Sequence, residues 1–318
     1  MGSYEVLTIN KSLEEIKDQL SNYFLESLSE KTRTAYRNDL QSLCDFLKLP
    51  SIDDLAQSFV SLDPGRANLT VIEWRSHLKS CGMAVSSINR RLAAVRSLTS
   101  FARTLGLISW ELEVKNFKST PYRDVRGPGQ NAYEKMLHYL DKTKTKKSIR
   151  DKAMLVLFHD LGLRRAELAS LDVGDFNFGE AATVAVSGKG RHEKELLSIP
   201  EETMRCLHDW LEVRGLGEGP FFTSFDRAQK GDGRLTSNGI YEVIKTLGRS
   251  IGIKTHPHAL RHLAITEACK LAQANGYGLE EVLDFSRHAH VNTLMIYRDR
   301  ERNVQGILSG LLSRLKRG

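Results

Sequence analysis

The sequence predicts a mainly α-helical chain of two domains carrying one small antiparallel β-sheet. Three observations lead there. Residues 1–110 place apolar side chains every three or four positions and contain no convincing strand. The stretch from Glu113 to Gly129 then loses all periodicity and holds two prolines and two glycines. Beyond it helical patterning resumes, interrupted by a single strand–turn–strand signature. At 318 residues the chain is long enough to bury two separate cores.

Ser12 to Ser27 aligns Leu13, Ile16, Leu20 and Phe24 into one stripe, the mark of a helix with a single buried face. Ser29 is suited to N-cap a second helix through Tyr36, Leu40, Leu43 and Leu47, which Pro50 stops. A third, short helix is expected over Ile52 to Phe59, ending before Asp63-Pro64, and a fourth from Leu69 to Leu78, closed by Cys81-Gly82. The fifth runs from Ser86 to Leu105 with Ile88, Leu92, Val95 and Leu98 apolar, and Gly106 stands where helices end in a left-handed residue. Residues 1–112 thus form a helical domain, 113–129 a linker and 130–318 a second domain. In that second domain the expected helices are Asn131 to Leu140 and Ser148 to Leu161. Strands follow at Ala182–Val186 and Glu195–Ile199, joined by a tight turn that carries Lys189, with Pro200 ending the second. Near the end of the chain, Val304, Ile307, Leu308, Leu311, Leu312 and Leu315 pattern an amphipathic helix.

Hydrophobic content of 41% and charged content of 27% are ordinary for a soluble globular protein. The net charge of +7 is unevenly placed: residues 1–112 hold 13 basic and 13 acidic side chains, so the whole excess lies in residues 113–318. An anionic partner is expected there, nucleic acid first. No stretch reaches the length of an apolar membrane span, and the N-terminus lacks a signal-peptide pattern, so a cytoplasmic protein is expected. Cys44, Cys81, Cys206 and Cys269 are scattered without metal or dithiol spacing and read as small buried hydrophobes in a reducing compartment.

Six residues in a fixed order could build a phosphodiester-cleaving site. They are Arg164 in Leu-Gly-Leu-Arg-Arg-Ala-Glu-Leu, Lys189 in Ser-Gly-Lys-Gly, His258 and Arg261 in His-Pro-His-Ala-Leu-Arg-His, His288 in Ser-Arg-His-Ala-His, and Tyr297 in Met-Ile-Tyr-Arg. Arg164 would open a helix after Gly162, with Glu167 one turn on to brace it. Spaced i, i+3, His258 and Arg261 share one face of a helix that Pro257 helps to start. Lys194, His256, His262 and His290 are alternative occupants of the same roles. Two guanidiniums suit the extra charge of a pentavalent phosphorus, an imidazole can take the proton of a phenol, and a lysine can protonate a leaving oxygen. Such a set needs no metal, and no cofactor is expected. In the first domain Arg33, Arg37, Arg90 and Arg91, beside short donors such as Thr34 and Asn89, read as candidate DNA contacts or as a solvated face.

The ordered set resembles that of the tyrosine recombinase (phage integrase) family, and Ser29 to Leu40 resembles the opening of that family's core-binding domain. The resemblance implies a two-domain, C-shaped clamp on double-stranded DNA, a helical core-binding domain followed by a mixed α/β catalytic domain. It implies a covalent 3′-phosphotyrosine on Tyr297, formed without metal or ATP and with Arg164 and Arg261 holding the phosphate. Lys189 would be the acid, His258 the base and His288 a further donor. Four synapsed copies, a terminal helix docked on a neighbouring copy, and a partner recombinase or accessory protein are also implied. Two positions depart from the family pattern: Leu161 replaces a common Thr, and Arg287 stands where Gly usually precedes the second histidine. A non-catalytic DNA-binding protein on the same fold is the rival reading.

Overall fold

A computed structural model describes residues 12–118, 128–188, 193–225, 232–288, 291–294 and 304–315. The chain divides into two compact units, residues 1–122 and 123–318. Among the described residues the first unit is all helix: α1 (Leu13–Asp18), α2 (Leu20–Glu26), α3 (Glu30–Leu47), α4 (Ile52–Ser61), α5 (Pro64–Ser80) and α6 (Val85–Thr104). The single helix expected over Ser12 to Ser27 is two, broken where Gln19 leaves helical geometry at φ −106° and ψ 11°. Burial explains the break. α1 buries nothing, whereas α2 buries Leu20, Phe24 and Leu25, so the two segments serve different surroundings.

α5 starts at Pro64 instead of Leu69. The Asp63 side chain accepts the Arg66 amide at 2.9 Å, and a proline in the first turn has no amide to leave unpaired. Phe24, Leu40, Leu43, Leu55, Val71, Trp74, Ile88 and Leu92 make the core of this unit. One carboxylate lies inside it. Asp39 is fully buried and paired with Arg90 and Arg91; burial raises its pKa, and the two guanidiniums only partly oppose that.

The start of the expected linker is fastened to this unit. Val114 is 5% exposed and its carbonyl accepts Arg96 Nη1 at 2.8 Å. The Asn89 side-chain amide exchanges two 3.0 Å hydrogen bonds with the backbone of Phe117. Arg75 stacks over the Phe117 ring, 4.8 Å from its centroid. Two apolar residues without periodicity were enough to anchor a segment that reads as irregular.

The second unit contains α7 (Gln130–Thr143), α8 (Lys146–Asp160), α9 (Arg165–Ser170), β1 (Phe176–Asn177), β2 (Thr183–Ser187) and β3 (Lys194–Ser198). It continues with α10 (Glu201–Arg214), α11 (Ser237–Ser250), α12 (Pro257–Ala274), α13 (Leu279–Ser286), α14 (Val291–Leu294) and α15 (Val304–Leu315). The strands form an antiparallel sheet in the order β1-β2-β3, with Phe176 opposite Val184 and Val184 opposite Leu197. β2 buries Val184 and Val186 and turns the intervening Ala185 outward, the period of two expected of a half-buried strand.

α8 is the central helix. Ala153, Met154, Leu155, Val156, Leu157 and Phe158 are all buried in succession, which leaves it almost no solvent face over two turns. α7, α10 and α12 pack on it, and Trp210 of α10 satisfies its buried indole by donating to the Phe221 carbonyl at 2.8 Å. Thr145 and Ser148 cap the start of α8 reciprocally, and Gly162, at φ +54°, ends the turn that follows it. Cys44 is buried, as expected, and burial pushes its thiol up to about 11, but Cys81 is exposed. No helix among the described residues is long and apolar enough to cross a membrane.

Candidate active site

The C-terminal end of α8 sets the geometry. A helix leaves its last carbonyls unpaired and carries partial negative charge there, so cations are favoured partners. Two arginines from distant parts of the chain fill that role. Arg261, on α12 and 3% exposed, donates Nη1 to the Gly162 carbonyl and Nη2 to the Ser286 carbonyl. Arg287, just after α13, donates Nη1 to the Leu161 carbonyl at 3.1 Å and Nη2 to the Gly162 carbonyl at 3.4 Å. A side chain at Gly162 would meet the Phe285 ring at 3.4 Å and the Arg261 guanidinium at 3.9 Å, so glycine permits this close seating.

Arg164 is the N-cap residue of α9 and lies in the same cluster. Its Nη1 pairs with Glu167 Oε1 at 2.6 Å and its Nη2 donates to the Arg287 carbonyl at 2.8 Å. Arg164 and Arg261 therefore bond to consecutive carbonyls, those of Arg287 and Ser286, in the turn that leads into His288. Arg164 keeps 31% of its side chain exposed and is the open member of the pair. Glu167 is 3% exposed at its side chain. Burial alone would raise its carboxyl, but the Arg164 amide and the guanidiniums of Arg287 and Arg164 outweigh burial and hold it below the usual carboxylate range.

The histidines separate into roles. His256 N-caps α12, its Nδ1 accepting the Ala259 amide at 3.1 Å, which commits that ring to the backbone. His262 is buried, 7% exposed, and burial followed by the nearby His258 pushes it down to about 4. His258 stays solvent-facing one turn before Arg261, stacked 6.4 Å from the His256 ring. Its pKa is lowered, first by desolvation and then by His256 and Arg261, so it is neutral at pH 7 and able to accept a proton. His288 Nε2 lies 3.4 Å from Arg261 Nη2. A guanidinium only donates, so that contact calls for an unprotonated Nε2. Burial and then the charges of Arg261 and Arg164 push His288 down to about 4.

A pH prediction follows from His262 and His288. Both fall to about 4 in the fold, against an ordinary histidine value near 6.5. Between those values the unfolded chain binds more protons, so stability is full above about pH 6.5 and is lost as pH falls toward 4. The urea midpoint should drop between pH 7 and pH 5, and a midpoint that is level or rising across that window would contradict the assignment.

Lys189 and Tyr297 lie outside the described residues, as does His290. Lys194, the alternative to Lys189, pairs with Asp175 from its place on β3. Of the four candidate DNA contacts in the first unit, three are engaged internally. Arg33 donates to the Leu25, Glu26 and Leu28 carbonyls, closing the end of α2. Arg91 is 20% exposed at its side chain and shares Asp39 with Arg90, which keeps 49%. Arg37 is exposed. Sequence reasoning missed the part played by Arg287, and its signal was there, a bulky cation directly before the second histidine. Among the described residues no group of three His, Cys, Asp or Glu side chains could hold a metal ion.

Comparison with known proteins decides the family. The signature described as Phage integrase family matches residues 129–303, and the Phage integrase N-terminal SAM-like domain matches residues 18–106. A tyrosine recombinase of Synechocystis sp. is 34% identical over 305 residues, covering 93% of this chain and 95% of that protein. The chain belongs to the phage integrase family of tyrosine recombinases. Tyrosine recombinase XerC of Chromohalobacter salexigens is 30% identical over 282 residues, covering 86% of this tyrosine recombinase and 88% of that one. The fold is shared with XerH site-specific recombinase bound to palindromic difH substrate in a post-cleavage complex. That likeness has a TM-score of 0.64 at 18% identity, over 92% of this chain and 93% of the other. It is also shared with the Tn1549 transposon integrase in complex with transposon right end DNA, at TM-score 0.65 and 17% identity over 94% and 99%. Within this tyrosine recombinase the family pattern therefore spans both units, and the arginine cluster lies inside the matched catalytic segment.

Proposed function

We propose that this chain is a site-specific recombinase that cuts and rejoins double-stranded DNA through a covalent 3′-phosphotyrosine on Tyr297. The observation that carries the assignment of roles is the convergence of Arg164 and Arg261 on adjacent carbonyls beside His288. Guanidiniums seated that way stabilise the charge that builds on the non-bridging oxygens in the transition state. The Tyr297 oxygen forms a bond to phosphorus while the bond from phosphorus to the 5′-oxygen breaks. His258, neutral at pH 7, takes the phenol proton, and Lys189 supplies a proton to the departing 5′-oxygen. His288, whose Nε2 accepts from Arg261, donates to the scissile phosphate through Nδ1. The phosphodiester is stored on the enzyme, so rejoining is the same exchange in reverse with a new 5′-hydroxyl and requires no nucleotide.

In this reading the helical core-binding domain, 1–112, and the catalytic domain, 130–318, both engage the duplex, with 113–129 between them, and Val114 and Phe117 of that stretch pack on the first domain. Arg37 and the exposed part of Arg90 contact the backbone, and four copies assemble on paired sites, alone or with a partner recombinase, in the cytoplasm on the nucleoid. Trapping tests the chemistry: on a duplex nicked near the cleavage position the enzyme should form an adduct that survives SDS. Binding without any adduct would favour the non-catalytic rival. Affinity should also fall steeply with salt, log K against log salt having a slope of roughly −0.9 per phosphate contacted. A flat salt response in a fluorescence-anisotropy titration would exclude a backbone-tracking interface.

A further inference from the structure

Arg287 makes more contacts in the cluster than a structural turn residue needs. Its backbone is left-handed at φ +52°, a conformation that favours glycine, yet its side chain is 4% exposed. Holding a long cation there requires compensation, and the compensation is specific. Nη1 and Nη2 reach the Leu161 and Gly162 carbonyls, and Nη2 also pairs with Glu167 Oε2 at 2.7 Å. From the other end of the same residue, the carbonyl accepts Arg164 Nη2 at 2.8 Å. Glu167 is thereby shared, Oε1 facing Arg164 and Oε2 facing both Arg287 and the Arg164 amide.

Charge makes the sharing matter. A buried carboxylate paired with Arg164 alone would cancel most of the field that this guanidinium presents to an incoming phosphate. With a second buried guanidinium on the same carboxylate, the trio keeps a net positive charge. We propose that Arg287 is a positioning residue that shares Glu167 with Arg164 and fixes the turn receiving Arg164, so that the cluster meeting the scissile phosphate keeps a net positive charge. The proposal rests on the reading of Arg164 as a member of the phosphate clamp.

The test uses the full chain and a nicked duplex carrying the sequence that the chain itself enriches from a random pool. Single-turnover cleavage is measured on the natural phosphodiester and on a methylphosphonate, in which a methyl group replaces one charged non-bridging oxygen. Arg287→Gly should cleave the phosphodiester about tenfold more slowly or worse at unchanged duplex affinity, a coupling of the size expected for side chains in one network. On the methylphosphonate, which lacks the charge to be met, that deficit should shrink to within about threefold, and in a Glu167→Gln background Arg287→Gly should add less than about threefold. A merely structural defect would be the same on both substrates. Should Arg287→Gly fail to fold, Arg287→Met, which keeps a long apolar stem but removes the charge, replaces it in the same two-substrate comparison. Phosphodiester cleavage at the unaltered rate, or an equal deficit on both substrates, overturns the proposal alone. No adduct from the unaltered chain on its enriched duplex overturns the recombinase reading, and this proposal with it.

Discussion

Replacing Tyr297 by Phe should abolish the covalent DNA adduct while leaving duplex affinity unchanged. The substitution deletes one oxygen and keeps the ring, so packing and charge are conserved and only the nucleophile is lost. The arginines of the cluster cannot take its place, because a guanidinium is not deprotonated in a protein. The expected result is loss of SDS-resistant product to below detection, a drop of at least about a thousandfold of the kind seen when an essential nucleophile is removed. Anisotropy on the same duplex should give an affinity within about twofold of the unaltered chain, because a backbone-dominated interface does not read the phenol. An adduct persisting in Tyr297→Phe would assign the nucleophile elsewhere.

Arg261→Ala should be the most damaging change among the described residues, with effects on both rate and stability. The side chain is 3% exposed and serves the Gly162 and Ser286 carbonyls. Truncation removes this donor from the Ser286 carbonyl, at a cost of about 1–3 kcal/mol for a buried group left unpaired, and leaves the Gly162 carbonyl only the longer 3.4 Å bond from Arg287. Loss of a preorganised charge from the transition state adds a rate penalty of roughly a hundred- to a thousandfold. Arg261→Lys separates the two effects. A lysine keeps the charge but presents no fork and cannot serve two carbonyls in that geometry, so stability should fall less than in Ala while cleavage stays at least about a hundredfold slow. Urea unfolding and single-turnover cleavage measure the two quantities independently. A Lys variant that cleaves at nearly the unaltered rate would show that the clamp depends on charge alone.

How far the sequence carried these conclusions depends on the range of the interactions involved. Helix α3 was legible because its determinant is local, an apolar stripe through Leu40 and Leu43; Ser29 stands at the N-cap position as expected but makes no capping bond there. The two-residue strand β1 was not, since Phe176 and Asn177 are too few to show alternation and gain their identity only by pairing with β2. The same distinction holds at the site. The order of Arg164, His258, Arg261 and His288 could be read from motifs, and the structure brings those four together. Arg90 and Arg91 read as surface contacts because Asp39, which they share, lies far back in the sequence. Arg287 read as a departure from pattern because two of its partners are main-chain carbonyls, at Leu161 and Gly162, and carbonyls leave no trace in residue identity.

α8 is at once the hydrophobic centre of its unit and the helix that leads directly into the Leu161 and Gly162 carbonyls on which Arg261 and Arg287 sit. The core and the arginine cluster are therefore joined through one continuous segment, so a change in α8 touches both. A cavity opened at Leu157 would reach the arginine cluster through the end of α8, so inactive variants from a random screen will mix defects of scaffold with defects of chemistry. Only a fold measurement made alongside the activity assay will tell them apart.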